Sequence, residues 1–144
     1  MEQVLFDGCF VCGPDTRCGL KATFKNLPGG EVEGVFTPDE QHSGYEGVVH
    51  TGVIVGFLDE TMGRVCFSMD KYYLTQSLNV TFKCAASSNI RLRAFAKLRR
   101  STRRHFTAEG KVFGPSGEVI AEAEGRFVLM DGAVVKKIAK DMEI

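Results

Sequence analysis

The residue best placed for chemistry is Asp59, a carboxylate inside a stripe of glycines on a predicted helix over about 52–67. At 3.6 residues per turn, Gly52, Gly56 and Gly63 fall on the same side of that helix as Asp59. Glycine costs a helix about 1 kcal/mol relative to alanine, so three on one face indicate close approach of another backbone or a ligand. Partial desolvation there would raise the pKa of Asp59, which suits proton abstraction from water. The opposite, apolar side carries Val53, Ile54, Phe57, Leu58, Thr61, Met62 and Val65.

The start of this helix offers a second chemical group, its unpaired backbone N–H donors. His50 and Thr51 stand there, and Thr51 is predicted to be the N-cap. Such donors attract negative charge, including a developing oxyanion. Nine residues separate His50 from Asp59, about 13 Å along a helix, so two antiparallel helices from paired subunits would serve one reacting group better than a single helix. A composite site in a dimer follows, unless the glycine face simply points to solvent, with Asp59 and Glu60 as its polar residues.

Cysteines form the third chemical feature. Cys9, Cys12 and Cys18 have a C-x2-C-x5-C spacing that could hold zinc, but a closed structural site needs four ligands. A redox pair of Cys9 and Cys12 is a second interpretation, although no βαβ pattern surrounds it. Small buried residues in an amino-terminal turn are the third and favoured interpretation, and neither a metal nor a cofactor is expected. The candidates for a fourth zinc ligand would be a distant cysteine and the histidines His42, His50 and His105.

The composition excludes several classes of protein. The 144 residues are 44% apolar and 25% charged, which is typical of a globular chain, here one domain over 1–144. Eighteen basic residues balance eighteen acidic ones, which argues against bulk binding to nucleic acid or an anionic membrane. The uncharged stretch near the helix is far shorter than the roughly 20 residues of a membrane span, and MEQVLFDG does not resemble a signal peptide. With an odd number of cysteines, a soluble, cytoplasmic protein with reduced thiols is expected.

The elements that must position these residues are one helix and a set of antiparallel strands. Leu20, Ala22 and Phe24 alternate with polar residues, and a turn at 26–30 joins this predicted strand to a returning one at 32–37. Residues 38–50 are predicted to be a loop. A short helix is predicted over 133–143.

Four further strands follow the helix and determine the fold class. Segregated helix and strands predict an α+β domain in which one antiparallel sheet packs on one helix. Because strands of about ten residues exceed what one helix covers, an open edge or face suggests a partner subunit. The residues that alternate along these predicted strands are Leu74, Gln76, Leu78, Val80 and Phe82, on one face of the first; Ile90, Leu92, Ala94, Ala96 and Leu98; Phe106, Ala108, Gly110 and Val112; and Val119, Ala121, Ala123, Gly125, Phe127 and Leu129.

The segments GYEGVVHTG at 44–52 and LDETMG at 58–63 resemble the hotdog-fold acyl-CoA thioesterases, particularly the phenylacetate-pathway-like branch. In that family an HGG motif precedes the central helix and an acidic residue follows nine positions after the histidine, which is Asp59 here. The strand at 74–82, the CFVCG opening and the segment at 117–127 are also similar. The resemblance implies a hotdog fold, a long antiparallel sheet wrapped around one central helix.

The resemblance also implies an activity, the hydrolysis of an acyl-CoA thioester to a carboxylic acid and CoA. Asp59 would act as general base or nucleophile, the Thr51 backbone N–H would polarise the thioester carbonyl, and Thr75 would position water or the carboxylate. His50 would either contact substrate or hydrogen-bond the loop. The active site would lie between two subunits of a homodimer or of a tetramer of paired dimers. One departure from the motif is Thr51 itself, which replaces the first motif glycine.

Substrate binding is expected from a further group of residues. The turn RRSTRR at 99–104 would by default be a solvated hairpin, but arginine forks bind phosphates well, and CoA carries them. Arg103 and Arg104 are therefore expected to meet the nucleotide end of CoA. Tyr45 would line the pocket or pack its loop. The remaining members of the substrate-binding set are Gly52 and Glu60.

Other function classes fit parts of the sequence. A non-catalytic hotdog protein that binds an acyl or CoA ligand is the main alternative, and Thr51 favours it. A dehydratase fits less well because no histidine lies on the helix, and nucleic-acid binding by the arginine turn lacks interleaved aromatic residues and net basicity. His42 and His105 are expected to be ordinary surface or capped histidines, and Cys66 a core residue.

Overall fold

An antiparallel sheet wraps around one α-helix in the computed structural model, which describes residues 7–69, 72–130 and 133. The order of the six strands in the sheet is β1-β2-β4-β5-β6-β3. The helix predicted over 133–143 lies outside the described residues apart from Ala133. Two 3₁₀ segments, Glu40–His42 and Arg64–Met69, flank the helix. The elements in chain order are β1 Thr23–Leu27, β2 Glu31–Phe36, α1 Thr51–Gly63, β3 Tyr72–Phe82, β4 Leu92–Ser101, β5 His105–Phe113 and β6 Val119–Met130.

The helix α1 lies with its apolar side on the sheet, as its periodicity predicts. The prediction of an N-cap at Thr51 is wrong, because His50 is the N-cap and Thr51 is the first helical residue. The imidazole Nδ1 of His50 accepts a hydrogen bond from the Gly52 N–H at 2.8 Å. In most helices a serine or aspartate side-chain oxygen accepts this N-cap hydrogen bond. The α-helix ends at Gly63, earlier than predicted, and the chain continues as the 3₁₀ segment. Its buried residues are Ile54, Phe57, Leu58, Thr61 and Met62.

Small residues on the inner face of the sheet let the helix approach closely. At Gly110, an added Cβ would lie 3.0 Å from Met62 and 3.3 Å from Leu58, so the glycine makes room for these two side chains. The alternation predicted for β4, β5 and β6 is confirmed over most of its length. Ile90 and Leu98 are exceptions, about two-fifths exposed, because β4 begins only at Leu92 and a register shift follows Leu98. The inner residues include Leu92, Ala94, Ala96, Phe106, Ala108, Val112, Ala121, Ala123 and Phe127, all buried.

The set of β3 residues that points toward the core shifts by one position along the strand. The pairing with β6 shifts between Thr75 and Ser77, where the strand gains one extra residue. Tyr73 before the shift and Leu78 and Val80 after it pack against the core, whereas Leu74 is 55% exposed. The prediction that Leu74 and Gln76 share one face with Leu78 is therefore wrong, because strict alternation does not survive a bulge.

One edge of the sheet is formed by β3, which has a neighbouring strand only on its β6 side among the described residues. The edge is eleven residues long and exposes Leu74 and Phe82. Such an edge presents unpaired backbone N–H and C=O groups, which is the open boundary that the strand lengths predicted. None of the described helices is long and apolar enough to cross a membrane.

Candidate active site

The carboxylate of Asp59 and the hydroxyl of Thr75 meet between α1 and β3. Thr75 Oγ1 donates a hydrogen bond to Asp59 Oδ1 at 2.6 Å. Asp59 is partly buried, and this desolvation raises the pKa of its carboxyl above the usual 3.8, while the bond from Thr75 opposes part of that rise. The result is a carboxylate held in one orientation, with a neutral partner and an increased affinity for protons.

The bulge in β3 is what turns Thr75 toward Asp59. Thr75 and Tyr73 share the inner face before the register shift, although alternation with Leu78 would have turned Thr75 outward. Phe127 is the register partner of Thr75 on β6 and stacks on Phe106 of β5 at 4.7 Å. Tyr73 meets Phe106 edge-on at 4.5 Å, so a rigid aromatic layer supports this end of the strand.

The amino-terminal end of α1 is the second part of the site. The Gly52 N–H is occupied by His50 Nδ1, whereas the Thr51 N–H has no hydrogen-bond partner within the described ranges. Gly44 allows the His50 ring to lie close, because a Cβ at position 44 would be 3.2 Å from its Cδ2. Thr51 and Asp59 lie on the same helix about 12 Å apart along its axis, so one chain does not bring them to a common atom.

His42 supports the loop that leads to the helix. Its Nδ1 accepts the Asp39 N–H at 3.0 Å, and its Nε2 lies 3.0 Å from the Cys18 carbonyl oxygen and 3.2 Å from that of Gly19. The expectation of a surface or capped histidine is correct about the cap and wrong about the surface, since His42 is buried. Its own carbonyl accepts the His50 N–H at 2.8 Å. His42 thus joins the amino-terminal segment to the start of α1.

The comparisons with known proteins place these elements in a family. Residues 46–121, which include His50, Asp59 and Thr75, match the family model of the thioesterase superfamily. The chain belongs to the thioesterase superfamily. No curated protein matches its sequence.

Solved structures of the thioesterase superfamily share the hotdog fold of this chain. A thioesterase superfamily protein is 27% identical with a TM-score of 0.75, over 82% of this chain and 61% of the other, so the chain spans about three-fifths of that relative. A phenylacetic acid degradation-related protein from Ralstonia eutropha JMP134 is 20% identical with a TM-score of 0.69, over 76% of this chain and 85% of the other. A hypothetical thioesterase protein from Streptococcus pneumoniae, whose structure contains coenzyme A, is 15% identical with a TM-score of 0.71, over 76% and 85%. The predicted fold and family are confirmed.

The arginine turn of this thioesterase-superfamily chain lies at the same end of the sheet as Thr75. The Leu129 N–H donates to the Arg104 carbonyl oxygen at 2.6 Å, and Leu129 is the register partner of Tyr73. Arg103 and Arg104 are exposed, and in the described part of the chain neither has an ion-pair partner. Arg99, by contrast, pairs with Glu109 at 3.1 Å. Two strand spacings, about 10 Å, separate the backbone of Arg104 from that of Tyr73.

The other candidate residues occupy different surroundings. Glu60 accepts a hydrogen bond from Arg64 Nε at 3.0 Å and lies beside Cys9 and Cys12. Tyr45 is 86% exposed, so it does not pack its own loop. Cys66 is a core residue, as expected.

Two positions of the glycine stripe, Gly56 and Gly63, are open within the described chain, whereas a Cβ at Gly52 would lie 2.9 Å from His50 Nδ1. A Cβ at Gly56 would come no closer than 3.9 Å to Phe10, and one at Gly63 no closer than 3.6 Å to Phe127. These are ordinary van der Waals distances, so no intrachain contact in the described residues requires glycine at either position.

A second buried carboxylate, Glu33, was not singled out from the sequence. It lies on the outer face of the sheet, where Arg93 donates to Glu33 Oε1 through both Nε, at 3.0 Å, and Nη2. Lys25 Nζ lies 3.3 Å from Oε2. These cations lower the pKa of Glu33, the bond from Arg93 contributing most, and they outweigh the opposing effect of burial. An open depression of about 940 Å³ adjoins this cluster and is not lined by Asp59.

Proposed function

We propose that this protein is an acyl-CoA thioesterase in which Asp59 is the catalytic carboxylate. The observation that carries the proposal is a partly desolvated carboxylate with a raised pKa, oriented by Thr75 at 2.6 Å. Thr75 engages Oδ1, which leaves Oδ2 for the reacting water or acyl carbon. Membership of the thioesterase superfamily supports the same class of reaction.

In the general-base mechanism, Asp59 takes a proton from water while the water oxygen attacks the thioester carbonyl carbon. The Thr51 N–H stabilises the oxyanion of the tetrahedral intermediate. When the intermediate collapses, the C–S bond breaks, and the CoA thiolate takes the proton back from Asp59. In the nucleophilic alternative, Asp59 attacks the carbonyl carbon and the C–S bond breaks, so that the CoA thiolate leaves. Water then hydrolyses the mixed anhydride to the carboxylic acid and the Asp59 carboxylate, and the proton that this water loses passes to the thiolate.

We place the site between two copies of the chain. The separation of Thr51 from Asp59 along one helix, the open positions Gly56 and Gly63, and the β3 edge, which is unpaired within the described residues, each support a second subunit. In this arrangement Asp59 comes from one protomer and the Thr51 N–H from its partner, in a homodimer or a tetramer of paired dimers. A cytoplasmic location agrees with the odd number of cysteines.

The shared site can be tested with proline at position 51. Thr51→Pro removes the proposed donor at the first helical position, where proline is well tolerated, and the extended backbone of His50 suits a following proline. Turnover should fall about 10²–10³-fold, the usual effect of losing an oxyanion donor.

Neither Thr51→Pro nor Asp59→Asn should be active alone. After subunit exchange, an equal mixture should regain about a quarter of wild-type activity, because half of the dimers then contain one intact site. No regain would place both groups in one chain.

For CoA, we propose that Arg103 and Arg104 bind the phosphates, and that Tyr45, Gly52 and Glu60 line the acyl or pantetheine part. The related Streptococcus pneumoniae protein was crystallised with coenzyme A, which supports this ligand class. Replacing both arginines with alanine should raise KM with little change in kcat. An unchanged KM would remove the arginine turn from the binding site.

His50 is proposed to act through the helix rather than on the substrate. His50→Asn should keep activity, since asparagine is also a good N-cap, whereas His50→Ala should cost about 1 kcal/mol of stability. A loss of kcat in a stable His50→Asn protein would instead favour direct contact with substrate.

The decisive experiment is a thiol-release assay over a panel of aliphatic and aromatic acyl-CoA substrates, with wild type and Asp59→Asn. Activity in wild type and its loss in the variant are expected. Undiminished activity in Asp59→Asn would move the catalytic role elsewhere.

A non-catalytic CoA-binding protein is the second candidate, favoured by Thr51 in place of the motif glycine. Calorimetric binding of CoA without turnover of any substrate in the panel would select it.

A further inference from the structure

Two cysteines and a glutamate from distant parts of the sequence converge on one face of α1. The sulfur atoms of Cys9 and Cys12 and a carboxylate oxygen of Glu60 all lie within 4.8 Å of one another. Cys12 is buried, Cys9 is partly buried, and the Glu60 side chain is 18% exposed. All three atom types are ligands that Zn²⁺ prefers.

The turn that carries the two thiols is rigidly built. The Gly13 N–H donates to the Cys9 carbonyl oxygen at 2.8 Å and closes the turn. A Cβ at position 13 would lie 2.3 Å from the Asp7 carbonyl oxygen, so only glycine fits. Phe10 and Val11 accept hydrogen bonds from Leu20 and Ala22, each at 2.8 Å, which fix the segment against the chain leading to β1. The spacing of the thiols is thus set by the backbone.

The third donor is held independently of the cysteines. Glu60 lies on α1, and Arg64 one turn later donates through Nε to Glu60 Oε1 at 3.0 Å. The fourth-ligand candidates predicted from the sequence do not join the group. His42 uses both ring nitrogens in hydrogen bonds, and His50 Nδ1 caps the helix. Cys18, the third cysteine of the sequence cluster, is exposed and lies outside the group.

We propose that Cys9, Cys12 and Glu60 form a binding site for a thiophilic divalent cation, Zn²⁺ in the first instance. In a tetrahedral site with bonds of about 2.0–2.3 Å, the donors are roughly 3.5–3.8 Å apart. Side-chain rotations that move the ligand atoms by about 1 Å would complete this geometry. Binding releases the two thiol protons to solvent. The two thiolates and the carboxylate then balance the cation and the Arg64 guanidinium, and water takes the fourth position.

The cation would fasten the amino-terminal segment to α1 at the residue that follows Asp59. Metal binding should therefore raise the thermal stability of the chain, because a ligand that binds only the folded state stabilises it. The site uses neither Asp59 nor Thr75 but shares Glu60 with the proposed substrate-binding set, so it is tested by metal binding without any acyl-CoA, and it can exist whether or not the chain hydrolyses thioesters.

The test is a Co²⁺ titration of the full-length, reduced and chelator-treated protein. Wild type should bind one Co²⁺ per chain, with thiolate-to-cobalt charge-transfer absorption and the intense visible bands of tetrahedral Co²⁺, both lost when Zn²⁺ is added. Cys12→Ser should abolish the charge-transfer band. Glu60→Gln, which retains both thiols, should weaken Co²⁺ binding at least tenfold. Cys18→Ser is the matched control and should titrate like wild type.

Three results would overturn the proposal. One is wild-type protein without thiolate–cobalt absorption while its thiols titrate as reduced. The second is Glu60→Gln binding Co²⁺ as tightly as wild type. The third is a pair of observations: Zn²⁺ does not change the melting temperature of the reduced chain, and a Cys9–Cys12 disulfide forms in air. Together they would identify a redox pair. If Cys12→Ser fails to fold, the Glu60→Gln and Cys18→Ser titrations still decide.

Discussion

Asp59 and Glu33 are both removed from bulk water, yet their pKa values shift in opposite directions. The Glu33 side chain, on the outer face of the sheet, has little solvent-exposed surface, but Arg93 and Lys25 lower its pKa. Asp59, on the helix side, has only the neutral hydroxyl of Thr75 as a hydrogen-bond partner within the described residues, and desolvation raises its pKa. Burial alone therefore does not mark a reactive carboxylate. The missing counter-charge distinguishes a group available for proton transfer from one committed to an ion pair.

The largest expected difference between the two is in turnover. Asp59→Asn should reduce kcat about 10²–10⁴-fold, which is the usual contribution of a positioned general base. Glu33→Gln makes the same chemical change in the outer-face cluster and should leave kcat within about twofold, because Glu33 and its partners Arg93 and Lys25 lie on the other face of the sheet from Asp59. Steady-state thiol-release kinetics measure both. Equal losses in the two variants would mean that the comparison reports stability and not catalysis.

The next effect concerns the hydrogen bond to Asp59. Thr75→Val retains the shape of the side chain and removes its donor, so kcat should fall about tenfold, equivalent to roughly 1.4 kcal/mol for a bond to a charged group. Thr81 is a matched control, since it lies exposed on the same strand beyond the bulge. Thr81→Val should be as active as wild type. A fully active Thr75→Val would remove the positioning role.

Ionisation of the two carboxyl groups should change the free energy of unfolding in opposite directions. The lowered pKa of Glu33 means that its ionised form stabilises the fold above the usual value of 4.5, and this is lost as the pH falls through the folded pKa. The raised pKa of Asp59 means that its ionisation opposes folding, increasingly as the pH rises from 3.8 through the folded pKa. At pH 7, urea unfolding of Glu33→Gln should show a loss of about 1–2 kcal/mol, because a buried hydrogen-bonded charge loses its partners.

Asp59→Asn should be as stable as wild type or more stable under the same conditions. The destabilisation by Glu33→Gln should shrink at acidic pH, where wild-type Glu33 is also protonated. A destabilised Asp59→Asn protein would show that the carboxylate serves the fold.

The smallest expected effect is the difference between Arg93 and Lys25 in how strongly each lowers the pKa of Glu33. Arg93→Gln should raise the pKa of Glu33 more than Lys25→Gln does, because the bond from Arg93 is the main cause of the lowering. Lys25 is mostly exposed, so its removal should cost only about 0.2–1 kcal/mol of stability. NMR titration of the Glu33 carboxyl carbon measures both shifts. A larger response to Lys25→Gln would reverse the assignment.

The helix and most of the sheet could be predicted from hydrophobic periodicity. The inward residues of β5 alternate as far as Val112, those of β6 alternate from Ala121 to Phe127 beyond a register shift opposite Ile120, and the apolar side of α1 is the side that is buried. The face of Thr75 could not be predicted in this way, because a bulge inserts one residue without changing the residue types around it. Only the family resemblance placed Thr75 opposite the helix.

Contacts between segments that are distant in the sequence could not be predicted either. Glu60 joins Cys9 and Cys12 only because the amino-terminal turn folds onto α1. Likewise, Glu33 resembles any polar residue in an alternating strand until Arg93 and Lys25 are brought beside it. Propensity and period describe single elements, whereas these clusters depend on how elements pack.

The pH dependence of kcat/KM, measured for wild type and Thr75→Val over the range in which circular dichroism shows folded protein, tests the role of Asp59 most directly. Wild type should lose activity on the acidic side with an apparent pKa above the usual 3.8, because the ionised carboxylate is the base. In Thr75→Val this limb should move to higher pH, since the bond that favours the charged form is gone. An acidic limb at or below 3.8, or one that stays in place in Thr75→Val, would contradict the assignment of Asp59 as the catalytic carboxylate.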